Sequence, residues 1–236
     1  MVALAFMGAG LIAHWQFGKR GVRPDFIFGL LIAAVIGGIA GAKIHYLILH
    51  PAEWPGNLLS GSGLVWFGGM FGAIVVVAIV TKLSKESFAA VMDAGAAAVS
   101  VGYAIGRLGC FLRGCDHGVP TDLPWGMVFP EGLPPTTVKV HPTQLYESAA
   151  MLVIFVLIVW VFSPLFKRKG PLFFVWAVLA GIERLLIEFI RTNQAGALGL
   201  TQQQWIAVVM IVVGLLGTWW FATHGNPKDS LVKSGA

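Results

Sequence analysis

Residues 141–147 read HPTQLYE and stand directly before a long apolar run. A segment entering hydrocarbon ordinarily begins with apolar residues or an aromatic belt, so His141, Gln144, Tyr146 and Glu147 gathered at that boundary mark a candidate site. Arg107, within GRLGC, and Arg184, within ERLLIEFIR, lie inside other apolar runs. An arginine at the bilayer centre costs roughly 2.5–3.5 kcal/mol on insertion scales, which makes intramembrane arginines rare and points to function. Arg184, Glu188 and Arg191 follow i, i+4, i+7 spacing, which places them on one helix face. A guanidinium gives a phosphate two parallel hydrogen bonds and keeps its charge at any accessible pH, so two such forks suit an anion. The competing assignment pairs Arg184 with Glu188 or Glu183 to neutralise the helix face and lets Arg107 reach the outer headgroups.

Other polar residues carry weaker signals. Lys43 can bind a lipid phosphate or simply snorkel to it, because its stem bridges several ångströms of hydrocarbon. Asp93, near the start of its apolar run, suits a capping or solvated role better than catalysis. His14, His45 and His50 share no metal-ligand spacing and read as interfacial histidines. Cys110 and Cys115 are the only cysteines. On a continuous helix their Cα atoms would stand roughly 8–9 Å apart, so a disulfide needs a break, which Gly109 or Gly114 can supply. The two thiols are therefore read as a redox pair or as packing residues. Cys115, Asp116, His117 and His141 make a metal site conceivable, but no spacing rule supports one, so the expectation is no metal and no cofactor.

Composition dictates what positions these residues. Of 236 residues, 57% are hydrophobic and 11% charged, against roughly a quarter charged in soluble domains. An integral membrane protein with one membrane domain over residues 1–236 follows. Runs of spanning length occur at 1–17, 26–49, 64–81, 88–112, 143–163, 171–190 and 204–222, which predicts an all-α protein with seven transmembrane helices. Pro24, Pro51, Pro55, Gly61, Gly63, Pro142 and Pro164 punctuate them. The first residues lack a basic n-region and a cleavage site, so the first run reads as a retained helix.

The net charge of +5 comes from residues scattered over short loops, with no basic stripe, so no nucleic-acid partner is expected. Lys19, Arg20, Arg23, Lys82, Lys85, Lys167, Arg168, Lys169, Lys228 and Lys233 fall on one side, against Arg113, Lys139 and Arg191 on the other. That bias predicts an outer N-terminus, a cytoplasmic C-terminus and an external loop over 113–142 between the fourth and fifth helices, with Trp125 and Phe129 at headgroup level. Glycines at 8, 10, 37, 38, 41, 68, 69, 72, 102, 106 and 109 permit close helix approach.

Several ordered motifs together resemble the bacterial phosphatidylglycerol:prolipoprotein diacylglyceryl transferases. They are WFGGMFG at 66–72, GRLG at 106–109 with the turn at 114–118, PTDLPWGMVFP at 120–130, HPTQLYE, RLLIEFIR at 184–191 and TQQQW at 201–205. The resemblance runs through most of the chain. It implies a multi-pass enzyme of the bacterial inner membrane, its site toward the outer side, that moves the diacylglyceryl group of phosphatidylglycerol onto a lipobox cysteine thiol and releases glycerol 1-phosphate. The implied partners are phosphatidylglycerol, a prolipoprotein and membrane lipids. Arg107 and Arg184 match the family's arginines and would stabilise the departing phosphate; His141 and Glu147 would deprotonate the acceptor thiol or orient the base. Arg191, Glu188, Tyr146, Gln144, Gly118 and Lys43 would bind substrate.

The chain departs from the family pattern in places. Phe67 replaces a histidine before the Gly-Gly pair, Cys110 replaces an asparagine, Cys115 replaces an acid, and the sequence begins inside its first expected helix, where the family carries a preceding outer segment. Cys110, Cys115, Asp116 and His117 thus form a divergent patch. Two other functions stay open: a lipid-headgroup transferase with a different acceptor, and a transporter or binding protein for an anionic lipid.

Overall fold

The computed structural model describes residues 1–51, 66–193 and 196–224, without the side chains of Trp66, Phe67, Met70 and Ala197. Pro55, Gly61, Gly63, Lys228 and Lys233 lie outside the described residues. Those described form seven α-helices: α1 Val2–Arg20, α2 Phe26–Leu49, α3 Trp66–Leu83, α4 Phe88–Arg113, α5 Thr143–Val156, α6 Pro171–Glu188 and α7 Gln202–His224. After α5 the chain winds on through a π-helical turn at Leu157–Phe162 and a 3-10 turn at Ser163–Leu165, where Pro164 ends it. Four stretches among the described residues are long and apolar enough to cross a bilayer: α2, α4, Thr143–Leu165 and α7.

The chain divides into two compact units, residues 17–91 and residues 1–16 with 92–236. In the first, α2 and α3 meet through glycines. A Cβ on Gly37 would lie 2.6 Å from the Gly72 carbonyl oxygen, and one on Gly41 would lie 2.7 Å from Gly72 Cα, so only bare backbone permits this approach. At one end of the pair Arg23 Nε donates to Glu86 Oε1 at 2.6 Å. Lys43 is buried in α2, its Nζ 6.0 Å from the centroid of the Tyr46 ring.

In the second unit, α1 meets α4 where a Cβ on Gly102 would sit 3.2 Å from the Ala9 methyl. The apolar core joins Ala96, Ala97 and Ala104 of α4 to Met151, Ile154 and Ile158, and to Val175 and Ala180 of α6. Asp93, expected to cap or to be solvated, is fully buried and caps a neighbouring helix. Its two oxygens accept the backbone N–H groups of Gly170 at 2.7 Å and Phe173 at 3.0 Å, where Pro171 opens α6. A carboxylate there satisfies orphan donors and faces the positive end of the helix dipole. Gly181 and Gly214 bring α6 and α7 together, with Phe174 stacked on Phe221 at 5.2 Å.

The segment between α4 and α5 is held by short β-bridges: Cys115 with Leu133, Pro120 and Met127 with Val140, and Gly118 with Arg191. Arg191 departs from expectation here. The helix stops at Glu188, and Arg191 lies beyond it on extended backbone, so the three charges do not share one helical stripe.

Candidate functional site

Glu147 is the centre of the polar cluster. One turn inside α5 its side chain is fully buried, and a bare carboxylate there would be costly without cations and donors around it. Four side chains supply them. Tyr103 Oη donates to Glu147 Oε2 at 2.6 Å, Arg107 Nε forms an ion pair with the same oxygen, Arg191 Nη1 donates to Oε1 at 3.0 Å, and Arg184 Nη1 stands 3.8 Å from Oε1. With both oxygens occupied, Glu147 organises the three guanidiniums and has little capacity left to act as a free base.

Each arginine has a second anchor. Arg107 lies over the Tyr103 ring, 5.0 Å from its centroid, and donates to Tyr103 Oη from Nε at 3.0 Å and Nη2 at 2.8 Å. It therefore turns inward and is only 16% exposed. Arg191 Nη2 donates to Asp116 Oδ1 at 2.6 Å, and Arg107 Nη1 stands 3.7 Å from Asp116 Oδ2. Partial burial pushes the Asp116 carboxyl up, but the Arg191 hydrogen bond and charge outweigh it, so the group lies below the usual carboxylate range. Arg184 Nη2 donates to Glu188 Oε2 at 2.7 Å, the i, i+4 pair that the spacing allowed.

Glu188 in turn accepts from Asn193 at 2.8 Å and from the Thr201 hydroxyl at 2.7 Å. Thr201 and Gln204 form a capping box at the start of α7, with Thr201 N–H donating to Gln204 Oε1 at 2.9 Å and Gln204 N–H to Thr201 Oγ1 at 3.2 Å. Two donors in the arginine cluster remain unused: Arg184 Nη1 and Arg191 Nε are buried without a hydrogen-bond acceptor among the described residues. Buried guanidinium N–H groups left open are suited to an anion.

The divergent patch lies beside this cluster. The Cys110 and Cys115 sulfurs and an Asp116 carboxylate oxygen lie within 4.8 Å of one another, and both thiols are free. His117 is engaged in structure instead, its ring nitrogens 3.3 Å from the Gly118 carbonyl and 3.0 Å from that of Pro134, with Phe129 stacked at 5.7 Å. Gly118 is packed against its surroundings: a Cβ would lie 2.8 Å from Thr143 Cγ2 and 2.9 Å from His141 Cβ.

Of HPTQLYE, Thr143 and Gln144 pin the loop, donating to the Asp116 carbonyl at 2.7 Å and the Cys115 carbonyl at 2.5 Å, while Gln144 Oε1 is buried without a hydrogen-bond partner among the described residues. His141 Nδ1 stands 3.4 Å from Tyr146 Oη, which accepts the indole N–H of Trp125 at 2.7 Å. Sequence reasoning missed Tyr103 and Asn193, and it held Thr201 and Gln204 only as part of TQQQW, with no role in the site. Tyr103 lies four residues before Arg107, and the T-x-x-Q pattern of a capping box was present at 201–204, so both had a signal.

Residues 1–220 match the family described as prolipoprotein diacylglyceryl transferase. Among similar curated proteins, a phosphatidylglycerol–prolipoprotein diacylglyceryl transferase of Clostridium tetani is 30% identical over 91% of this chain and 88% of its own. Proteins with the same name from Cupriavidus metallidurans and a Nostoc species are 33% and 31% identical, over 92% and 99% of this chain and 87% and 88% of theirs. The motifs that gather around Glu147 thus occur in a chain that belongs to the prolipoprotein diacylglyceryl transferase family.

Proposed function

We propose that this membrane protein transfers the diacylglyceryl group of phosphatidylglycerol to the thiol of a prolipoprotein lipobox cysteine, releasing glycerol 1-phosphate. The relatives carry this activity in their names. The observation that bears most weight is the half-buried arginine cluster around the buried Glu147, with the buried donors Arg184 Nη1 and Arg191 Nε left open among the described residues. In this reading all seven helices span the bacterial inner membrane, the N-terminus is outside and the C-terminus cytoplasmic, and the loop over 113–142 brings the site to the outer side. The whole chain acts as one membrane domain.

The acceptor sulfur, once deprotonated, attacks the glyceryl carbon that carries the phosphate ester; a C–S bond forms, the C–O bond breaks, and the phosphate leaves with the electron pair. Charge grows on that phosphate, and Arg107, Arg184 and Arg191 stabilise it in a site shielded from water. Glu147, Glu188 and Asp116 hold the guanidiniums in place. His141, hydrogen-bonded to Tyr146, accepts the thiol proton, and the unpartnered Gln144 Oε1 accepts a substrate hydroxyl. Lys43 binds a lipid phosphate in the headgroup region.

A lipid-headgroup transferase with a different acceptor is the second reading, favoured by the cysteine pair beside Asp116. Mass spectrometry of a lipobox peptide incubated with purified protein and phosphatidylglycerol separates the two. A diacylglyceryl mass gain, absent with Arg107→Ala and with Arg184→Ala, is expected. Near-normal rates in both variants would sink the phosphate clamp, and no gain with well-folded, lipid-bound wild type would move the activity to another acceptor.

A further inference from the structure

The C-terminus of α4 closes in a Schellman arrangement. Gly114 takes the left-handed conformation at φ +68°, its N–H bonding to the Phe111 carbonyl at 3.0 Å, and the Cys115 N–H bonds to the Cys110 carbonyl at 3.1 Å. This closure folds the residue after the glycine back over the helix end, against the side chain five positions earlier, where an apolar contact is usual. Here both positions are cysteine. Their sulfurs lie within 4.8 Å, both are free, and the Cys115 thiol also reaches the Cys110 carbonyl at 3.6 Å. The break that a disulfide requires is therefore built into the backbone.

Two thiols and a neighbouring carboxylate could take a thiophilic metal ion or join as a disulfide, and charge decides between them. Asp116 is already bound by Arg191 at 2.6 Å, with Arg107 3.7 Å from its other oxygen. A metal cation would have to compete with two guanidiniums for that carboxylate, whereas a disulfide adds no charge. Burial, together with the hydrogen bond to Asp116, pushes the Cys115 thiol up to about 11. A bound metal must hold its ligands as thiolates throughout, while thiol exchange needs a thiolate only in passing.

We propose that Cys110 and Cys115 are a redox modification site that closes reversibly to an intramolecular disulfide by exchange with a disulfide-bearing oxidant. One cysteine loses its proton and attacks a sulfur of the oxidant, expelling a thiolate. The second loses its proton and attacks the mixed disulfide, closing the Sγ–Sγ bond and expelling the other thiolate. The two released thiolates take up the two protons, and two electrons pass from the cysteine pair to the oxidant. The bond ties the end of α4 to a segment whose carbonyls are held by Thr143 and Gln144 and whose Asp116 carboxylate faces Arg191. Oxidation thus clamps Asp116 in the arginine cluster.

The chain has only these two cysteines, so intact mass reads the outcome directly. The full-length protein in detergent is reduced with a phosphine, treated with oxidised glutathione and quenched with N-ethylmaleimide. The expected result is loss of two hydrogens and no maleimide adduct, with both adducts recovered after dithiothreitol; Cys115→Ser should instead retain one glutathione. Two maleimide adducts after the oxidant, or a lasting glutathione adduct on the wild-type chain, would overturn the proposal. So would zinc alone shielding both thiols while oxidised glutathione leaves them unpaired, because that would make the pair a metal site. The readout needs neither lipid nor turnover, so its failure is distinguishable from failure of the transferase reading.

Discussion

Tyr103→Phe tests whether Arg107 acts through a fixed orientation or merely through its charge. The hydroxyl makes three contacts: it donates to Glu147 at 2.6 Å and accepts from Arg107 Nε at 3.0 Å and Nη2 at 2.8 Å. Phenylalanine keeps the ring under the guanidinium and removes all three. Arg107 Nε retains its ion pair with Glu147, so the charge stays in the cluster while Nη2 loses its acceptor. One charge-assisted hydrogen bond is worth about 1.5–3 kcal/mol, and a tenfold rate change corresponds to about 1.4 kcal/mol. Loss of one such orienting bond therefore lowers kcat/KM about 10- to 100-fold if Arg107 must be aimed at the leaving phosphate. The assay is initial-rate transfer to a lipobox peptide, followed by mass spectrometry over a range of phosphatidylglycerol concentrations. An aiming defect appears mostly in kcat, because the site still carries its full positive charge. A rate within about threefold of wild type in a folded protein would refute the argument that orientation of Arg107 matters.

The other predictions touch different links. Asp93→Ala removes the acceptor for two N–H groups at the start of α6. A lost cap costs about 0.5–2 kcal/mol, so the thermal midpoint in detergent should fall by about 1–8 °C, and an unchanged midpoint would deny Asp93 its capping role. Gly118→Ala forces a methyl toward Thr143 and His141 and should part the bridge to Arg191, lowering transfer while helical circular dichroism persists; full activity would show that the bridge does not position Arg191. Because its carboxyl is depressed in the folded protein, Asp116 contributes stability that is present above the ordinary aspartate range, about 3.9, and is lost as pH falls through the lower native value. Asp116→Asn should therefore flatten the acid side of the thermal-midpoint profile, and superimposable profiles would exclude the Arg191 contact as its source.

Hydropathy alone located the helices, because spanning length and proline or glycine punctuation are local properties of the chain. The ends of α2 match the expected 26–49, and α5 begins at the expected Thr143. The convergence on Glu147 is not local. Tyr103 and Arg191 each lie 44 residues from it, and no periodicity within one helix can report that they meet. Spacing placed Arg184 and Glu188 together correctly, since both are inside α6, but failed for Arg191, since continuing the helical period assumed that the helix continued. The isolated aspartate in an apolar run was readable as a cap, yet the helix it caps starts 78 residues later and only packing could identify it. The five-residue cysteine spacing requires a helix break before the sulfurs can meet, and the left-handed Gly114, one of the two glycines able to supply it, does so.

The charges in the site explain why it can be stable without substrate and still favour an anion. Arg107, Arg184 and Arg191 face Glu147, Asp116 and Glu188, so the cluster carries no large excess charge to repel its own members. Unpaired, three half-buried guanidiniums would be destabilising; paired, they are fixed before any lipid arrives. The pairing is incomplete in one respect, since Arg184 Nη1 and Arg191 Nε have no hydrogen-bond acceptor among the described residues. A phosphate diester carries a single negative charge, and cleavage leaves a monoester with more charge on the same oxygens. Donors already held in place by carboxylates gain most from that increase, because their orientation cost was met during folding and not at the moment of bond breaking. Replacing a carboxylate would free an arginine and strengthen ground-state lipid binding, but it would also let the fork rotate away from the leaving group. In the proposed mechanism the carboxylates are positioning residues, acting through the geometry they impose on the arginines.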